Sequence, residues 1–304
     1  MSVYKSIGGQ LGMAAASLLF CLTTACHPEP EPPLGSSDEF ETVPEQFPIA
    51  PGIIDEASGL AQSNTMAGFL WSNQDAQAPN SIYLINKDGK SIKEFTVPGT
   101  ANRDWEEIAS GPGPVDGVSY LYIGDIGNNN APTAPTSTIY RVREIADQNA
   151  SFNESMVEKI SFTYPDGPRD AESLIVDPVT KDIFVISKGL TSGVYRLPFP
   201  QSTGETMTAE KIGDVPSVSI ATGATISRDG KEIMVRTYLG VYYWRREEGQ
   251  TVAQTITKPA TKQLTVALEP QGEAICFDIT GSGFYTLSER SSATSVSLNF
   301  YKRK

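Results

Sequence analysis

An apolar window that returns five times constrains the fold of this chain more than any other feature. The windows are EASGLAQS from Glu56, DWEEIASGPG from Asp104, DAESLIVDP from Asp170, TGATISRDG from Thr222 and QGEAICFDITG from Gln271. Aligned on Leu60, Ile108, Leu174, Thr225 and Ile275, they recur at intervals of 48, 66, 51 and 50 residues. A second apolar run ending in polar residues follows each: FLWSNQD, LYIGDIGNN, IFVISKG, IMVRTYLG and FYTLSER. A third run places a β-branched residue before Tyr in four of the five units, at Tyr83, Tyr140, Tyr195 and Tyr242. Short β-branched and aromatic runs between turn signals such as KDG, PDG, RDG and TGSG read as antiparallel strands joined by hairpins. A period near 50 is that of propeller blades.

The expected fold is therefore all-β, a single β-propeller over residues 40–304. Five blades are expected, and six are the alternative because the 66-residue interval leaves room for another. Outer strands are expected at IKEFTV, KISFTY, AEKIGDV and KQLTVAL. The last unit runs out of chain after VSLNFY, so a strand from the N-terminal part of the domain, near Phe40 to Val43, is expected to close it. An unclosed β-sandwich fits the recurrence of three matched strand types less well.

Residues 1–25 read as a signal peptide, with an apolar stretch from Leu11 to Ala25 that is shorter than the ~20 residues a membrane span needs. Cys26 directly follows small residues, so LTTAC resembles a lipoprotein processing site that makes Cys26 the lipidated first residue. Ordinary cleavage at a similar place is the alternative. Residues 26–39 are rich in Pro and acid and read as a tether. The expected location is extracytoplasmic, lipid-anchored at the outer membrane or cell surface, with envelope components as partners. The 24 basic residues against 36 acidic ones give a net charge of −12, which argues against nucleic acid. The only histidine, His27, lies in the tether, so a Ser-His-Asp triad and a His-ligated zinc are excluded from the domain.

Inner strands line a propeller's channel, and the end of each second strand lies at the same rim as the start of the first. Two positions before the aligned apolar residue stand Ser58, Glu106, Glu172, Gly223 and Glu273. The second strands end at Asn73, Asp125, Lys188, Arg236 with Thr237, and Glu289 with Arg290. Glu56, Asp104 and Asp170 stand just ahead of the inner strands, so these polar residues converge on one mouth. Glu56, Asn73, Asp104, Glu106, Glu273 and Glu289 are its candidate ligand-binding residues, for a small molecule or a protein. Three glutamates about 8 Å apart would repel by roughly 2 kcal/mol per pair at an effective dielectric of 20. Salt bridges to Lys188 and Arg236, a hard cation, or raised carboxyl pKa values can each relieve this. The all-oxygen donor set favours calcium among cations, with Glu106, Asp125, Asn128 and Glu172 as candidate ligands. By strand alternation Glu107 is expected to point away from the channel. Trp105 reads either as a stacking platform or as packing between blades, and Cys276 as a small buried filler.

The combination of DWEEIASGPG, YLYIGDIGNN, IYRVRE, DAESLIVDP and EPQGEAICFD resembles a family of largely uncharacterised secreted bacterial propeller proteins. More distantly, the DAES stretch is similar to repeats in β-propeller phytases and phytase-related, esterase-like proteins. That likeness implies calcium-supported hydrolysis of a phosphoester. On matching positions, Glu106, Asp125, Glu172 and Glu273 would be metal or water ligands. Lys188 and Arg236 would hold the anion, which makes Glu172, Lys188 and Arg236 the candidate catalytic residues. The paired aspartates of a phytase metal cluster are not evident, and basic residues at the mouth are few.

Overall fold

The computed structural model describes residues 39–304 apart from 77, 130 and 131. The leader, Cys26 and the tether through residue 38 lie outside the described residues. The strands, numbered in chain order, form five antiparallel sheets that make a five-bladed propeller. Blade 1 comprises β2 (Ala57–Gln62), β3 (Phe69–Gln74), β4 (Ser81–Asn86) and β5 (Ile92–Thr96). Blade 2 comprises β6 (Trp105–Pro112), β7 (Ser119–Asp125), β8 (Ser137–Arg143) and β9 (Val157–Thr163). Blade 3 is built from β10 (Ala171–Val176), β11 (Ile183–Ser187), β12 (Gly193–Leu197) and β14 (Glu210–Asp214). The two-residue β13 (Met207–Thr208) adds in parallel to β9 of the preceding blade. Blade 4 holds β15 (Ala221–Ile226), β16 (Glu232–Thr237), β17 (Gly240–Arg245) and β18 (Lys262–Leu264). Blade 5 holds β19 (Gln271–Phe277), β20 (Gly283–Glu289) and β21 (Val296–Lys302). The long second interval is taken up by the β7–β8 and β8–β9 connections of blade 2, not by a sixth blade.

The N-terminal part of the domain closes blade 5, a few residues later than the sequence suggested. The closing strand is β1 (Glu45–Ile49), which pairs with β21 from Glu45↔Phe300 to Ile49↔Val296. Phe40 makes one isolated bridge to Arg303, and its ring packs edge-on against Phe284. The prolines of PEQFPIAP hide the strand in the sequence, but an outermost strand tolerates Pro because one of its edges needs no partner.

Alternation along the strands explains why the runs are apolar on both faces. In β7, Leu121 and Ile123 pack with Trp71 and Phe95 of blade 1, while Tyr120 and Tyr122 pack with Leu174 and Val185 of blade 3. Five apolar clusters of this kind fill the five interfaces between blades. Trp105 is fully buried in the first cluster, its indole N–H donating to the Ala101 carbonyl at 3.0 Å, which makes it packing. Cys276 is a buried filler between blades 5 and 1.

Each inner strand carries one irregularity, and all five fall at the same place. The pairing with the second strand skips Ser58, Glu106, Glu172, Thr222 and Glu273. A bulge sets two residues against one on the partner, which breaks alternation and re-aims side chains. Two corrections follow. In blade 4 the position equivalent to Glu106 is Thr222 rather than Gly223. Glu107, following the bulge, points into the channel instead of away from it.

Candidate functional site

The bulges place the skipped residues at one mouth, where their side chains bridge neighbouring blades. Ser58 Oγ donates to the Glu106 carbonyl at 2.5 Å, and Thr222 Oγ1 donates to the Gly272 carbonyl at 3.0 Å. Glu106, Glu172 and Glu273 occupy the other three positions and are 2%, 2% and 3% exposed. Water is thus largely withdrawn from three carboxyls facing one space. Burial is the first cause raising the pKa of each, with repulsion from Glu172 and Glu273 adding to it at Glu106, from Glu273 at Glu172, and from Asp75 at Glu273.

Just inside this ring, Glu107 closes the channel. Its carboxylate accepts from the N–H of Ile108 at 3.1 Å and of Ala224, in blade 4, at 2.9 Å, and also from Leu60 of blade 1. Burial pushes the Glu107 carboxyl up, and the three amides pull it back toward the ionised form. Glycine makes this span possible at two points. A Cβ on Gly59 would overlap Glu107 Oε1, Asn73 Oδ1 and the Ile108 nitrogen, and one on Gly223 would overlap the Glu273 carbonyl. Beyond Glu107 the channel is walled by Leu60, Ile108, Leu174, Ala224 and Cys276, with Gln62, Ser110 and Thr225 adding polar groups.

The mouth has two unlike halves. On the side of blades 1 and 2, Asp75, Asp104 and Glu106 each offer an oxygen lying within 4.8 Å of the other two. At that separation and an effective dielectric of 20, each ionised pair repels by about 3.5 kcal/mol. Asn102 sets the spacing by donating to the carbonyls of Gln74 at 3.2 Å and Asp75 at 3.0 Å while accepting from the Trp105 N–H at 3.0 Å. The Asp104 carboxyl is pushed up to about 6, first by burial, then by Asp75. Glu106 Oε2 accepts from Ser58 Oγ at 3.2 Å, whereas Glu106 Oε1 has no hydrogen-bond partner among the described residues. That oxygen faces Asp104 Oδ2 across Gly127, where a Cβ would overlap both atoms.

On the side of blades 3 to 5 the carboxyls are partnered. Lys188 Nζ pairs with Glu172 Oε1 and lies 5.4 Å from the centre of the Tyr238 ring. Glu172 Oε2 lacks a partner among the described residues. Tyr238 Oη and Gln271 Nε2 both donate to Glu273 Oε1 at 3.2 Å. Glu273 also shares a hydrogen bond with Glu289, whose carboxyl is pushed up to about 9 by burial first and Glu273 next. Two carboxyls in such contact hold one proton between them.

Several sequence candidates lie elsewhere or are already engaged. Arg236 is 1% exposed and pairs with Glu269, its guanidinium also donating to the Ala274 carbonyl at 2.8 Å. It is packed between blades 4 and 5 and does not reach the mouth as an anion holder. Burial lowers its pKa to about 10 against the opposing charges of Tyr301 and Glu273. Asp125 takes the Asp104 N–H at 3.0 Å and pairs with Arg103 at 3.3 Å. Asn128 Oδ1 accepts from Thr133 and Ala134 within its own loop, so its oxygen is spent on that turn. Asn73 Nδ2 donates to the Trp105 carbonyl at 2.9 Å and ties blades 1 and 2 together. Glu56 is exposed at the rim and raises Glu289 through its charge. Asp75 is the member that the repeat alignment passed over. It lies one residue beyond β3, and the one sequence signal for it was the final residue of FLWSNQD.

No protein-family model and no curated protein matches the chain. Solved structures similar to it include a mitotic checkpoint complex component, with 15% identity, a TM-score of 0.46, and coverage of 95% of this chain and 99% of that one. A chain of a nidogen/laminin complex has 7% identity and a TM-score of 0.41 over 76% of this chain and 72% of its own. A chain of Kuenenia stuttgartiensis hydrazine synthase has 10% identity and a TM-score of 0.42 over 82% and 97%. At these levels the similarities assign no function, and the propeller rests on its own strand pairing.

Proposed function

We propose that this propeller is a binding protein that holds a hard divalent cation, calcium, between Asp75, Asp104 and Glu106 and engages a ligand at the same mouth. The observation that carries this is the unpartnered, buried Oε1 of Glu106 aimed at two further carboxylates within 4.8 Å. Two oxygens 4.8 Å apart can just span an ion at about 2.4 Å from each, the distance calcium takes, and a small inward turn of the side chains brings in the third. The donors are all oxygen and come from an irregular trio on two blades, which suits calcium better than the strict octahedron of magnesium. Calcium would relieve the repulsion among the three carboxylates and draw Asp104 and Glu106 into their ionised form. In this reading Cys26 carries a lipid and the tether holds the domain at the outside of a bacterial membrane. A phosphoester hydrolase would need cations free to hold an anion at the mouth. Arg236 faces Glu269 and Lys188 faces Glu172, so binding is the better-supported function.

Calorimetry with calcium chloride on the mature protein, together with melting in EDTA and in calcium, tests the site. One calcium bound per chain is expected, with a rise in melting temperature that Glu106→Gln and Asp75→Asn abolish. No heat and no shift would remove the cation. The anchor is checked separately: Cys26→Ser should release the protein from the membrane fraction, and undiminished retention would refute lipidation there.

A further inference from the structure

Of the eight large apolar side chains exposed among the described residues, five belong to the loops of the mouth. Leu190, Leu239 and Leu268 are 90%, 84% and 88% exposed, and Ile53 and Ile220 are exposed as well. Each leucine is within three residues of a side chain lining the mouth. Leu190 stands two residues after Lys188, and Leu239 follows Tyr238, whose hydroxyl reaches Glu273. Leu268 precedes Glu269 and stands three residues before Gln271, whose amide also reaches Glu273. The Ile220 N–H donates to the Gly189 carbonyl at 2.7 Å, which sets Ile220 beside Leu190 across blades 3 and 4. Ile220 holds a φ of 56°, a left-handed conformation that a β-branched residue adopts only under strain. Mouth-side loops of blades 3 and 4 and the connection from blade 4 to blade 5 thus each carry an exposed leucine beside the acidic residues of the mouth. Exposed apolar side chains concentrated on one face mark an interaction site.

Charge selects the occupant. The mouth beside these leucines holds Glu172 with Lys188, and Glu273 with Glu289, and the whole chain carries a net charge of −12. An anionic lipid surface or a second copy of this chain would be repelled by it. A basic side chain would be attracted, and it would replace the proton shared by Glu273 and Glu289. We propose that the mouth face of blades 3 to 5 docks a polypeptide segment carrying an arginine or lysine flanked by apolar residues. The basic group is held at the mouth by the charge of Glu273 and Glu289, and the apolar neighbours cover Leu190, Leu239 and Leu268. This names the partner for the binding mouth proposed above, and it rests on that reading but not on calcium.

The groups around Glu289 fix the sign of the pH dependence. Burial first, then Glu273, Asp75 and Glu56, raise its pKa, while Lys188 acts on Glu273 in the opposite sense. The pair therefore holds its proton at neutral pH and loses it toward pH 9, so an arginine binds more tightly as pH rises between 7 and 9. At most one proton is displaced, which limits the gain to about tenfold per pH unit.

The test is fluorescence polarisation with synthetic nonapeptides whose central residue is Arg, Gln or Glu and whose flanks are Leu or Ser. Measurements use wild type, Glu289→Gln and the surface triple variant Leu190→Ser, Leu239→Ser, Leu268→Ser, each in calcium and in EDTA. The Arg-centred, Leu-flanked peptide should bind, tighten between pH 7 and 9, and lose tenfold or more in both variants. The triple variant should keep wild-type melting and calcium binding. The proposal is overturned if no Arg-centred peptide binds, if the Glu-centred peptide binds equally well, or if the triple variant is unaffected. It is also overturned if sedimentation shows wild type self-associating through these leucines, which would make a second copy the occupant. Peptide binding without calcium binding would remove the cation alone, and calcium binding without peptide binding would remove this inference alone.

Discussion

Glu106 and Glu107 are adjacent on one strand, 2% and 0% exposed, yet the fold treats them in opposite ways. Glu107 is enclosed by three backbone N–H groups from blades 1, 2 and 4, so its charge is answered within the protein. Glu106 has one hydroxyl on Oε2 and nothing among the described residues on Oε1. A bulge lets neighbouring residues both face inward, which plain alternation forbids. One carboxylate thereby becomes a structural crosspiece, and its neighbour is left to be satisfied from outside. The difference lies in partners, since burial and chemistry are matched.

Substitution at Glu107 should have the largest effect. Glu107→Ala leaves three buried N–H groups without acceptors, and at about 1–3 kcal/mol each the loss is on the order of 3 kcal/mol or more. Glu107→Gln keeps one acceptor oxygen but turns an NH₂ toward a donor, so a smaller loss of roughly 1–3 kcal/mol is expected. Urea denaturation of both variants measures this. If Glu107→Ala unfolds at the wild-type midpoint, the crosspiece role is wrong and the two glutamates do not differ as described.

Glu106→Gln should behave in the reverse manner. Replacing one of three crowded carboxylates with a neutral isostere reduces repulsion, so the calcium-free protein should melt at or above the wild-type temperature. Calcium affinity should fall at least tenfold, about 1.4 kcal/mol. A variant that melts well below wild type in EDTA and still binds calcium would place Glu106 with Glu107 as a structural residue.

How far the sequence reached follows from the same pair. The period of the windows is enough to expect five blades, because each interface needs two-faced apolar strands and the chain supplies them in matched sets. Glu106, Glu172 and Glu273 fall at equivalent positions because the repeat carries register as well as strand type. The bulge is illegible: one skipped residue leaves no compositional mark, so sequence spacing alone puts Gly223 where Thr222 belongs and points Glu107 outward. Asp75 lies beyond its strand, and its place beside Asp104 depends on Asn102 holding the end of blade 1. Arg236 finds Glu269 in an irregular segment 33 residues away, which no local pattern announces.

The pH response of the calcium-free protein extends the comparison to the whole mouth. Asp104 and Glu289 have folded-state pKa values raised to about 6 and about 9, above those of the unfolded chain. The native state therefore binds more protons than the unfolded state between roughly pH 4 and 9, and stability falls as pH rises through that window. Melting in EDTA should decline from pH 5 to 9, through Asp104 first and Glu289 later. Calcium should flatten the Asp104 part by stabilising its ionised form, and Glu289→Gln should flatten the later part. A melting temperature that rises between pH 6 and 9 in EDTA would show these carboxyls ionised and satisfied in the folded protein.

Ser58→Ala offers the smallest and most selective change. Its hydroxyl donates to the Glu106 carbonyl at 2.5 Å and lies 3.2 Å from Glu106 Oε2, so its loss strips Glu106 of the one side-chain donor seen there. A single hydrogen bond contributes about 1 kcal/mol, and a fall in stability of about that size is expected. The calcium response discriminates further. If the hydroxyl serves to hold Glu106 Oε1 toward Asp75 and Asp104, affinity should drop a few-fold, with calcium restoring part of the lost stability. If Glu106 is positioned by the bulge alone, affinity will match wild type while stability still falls.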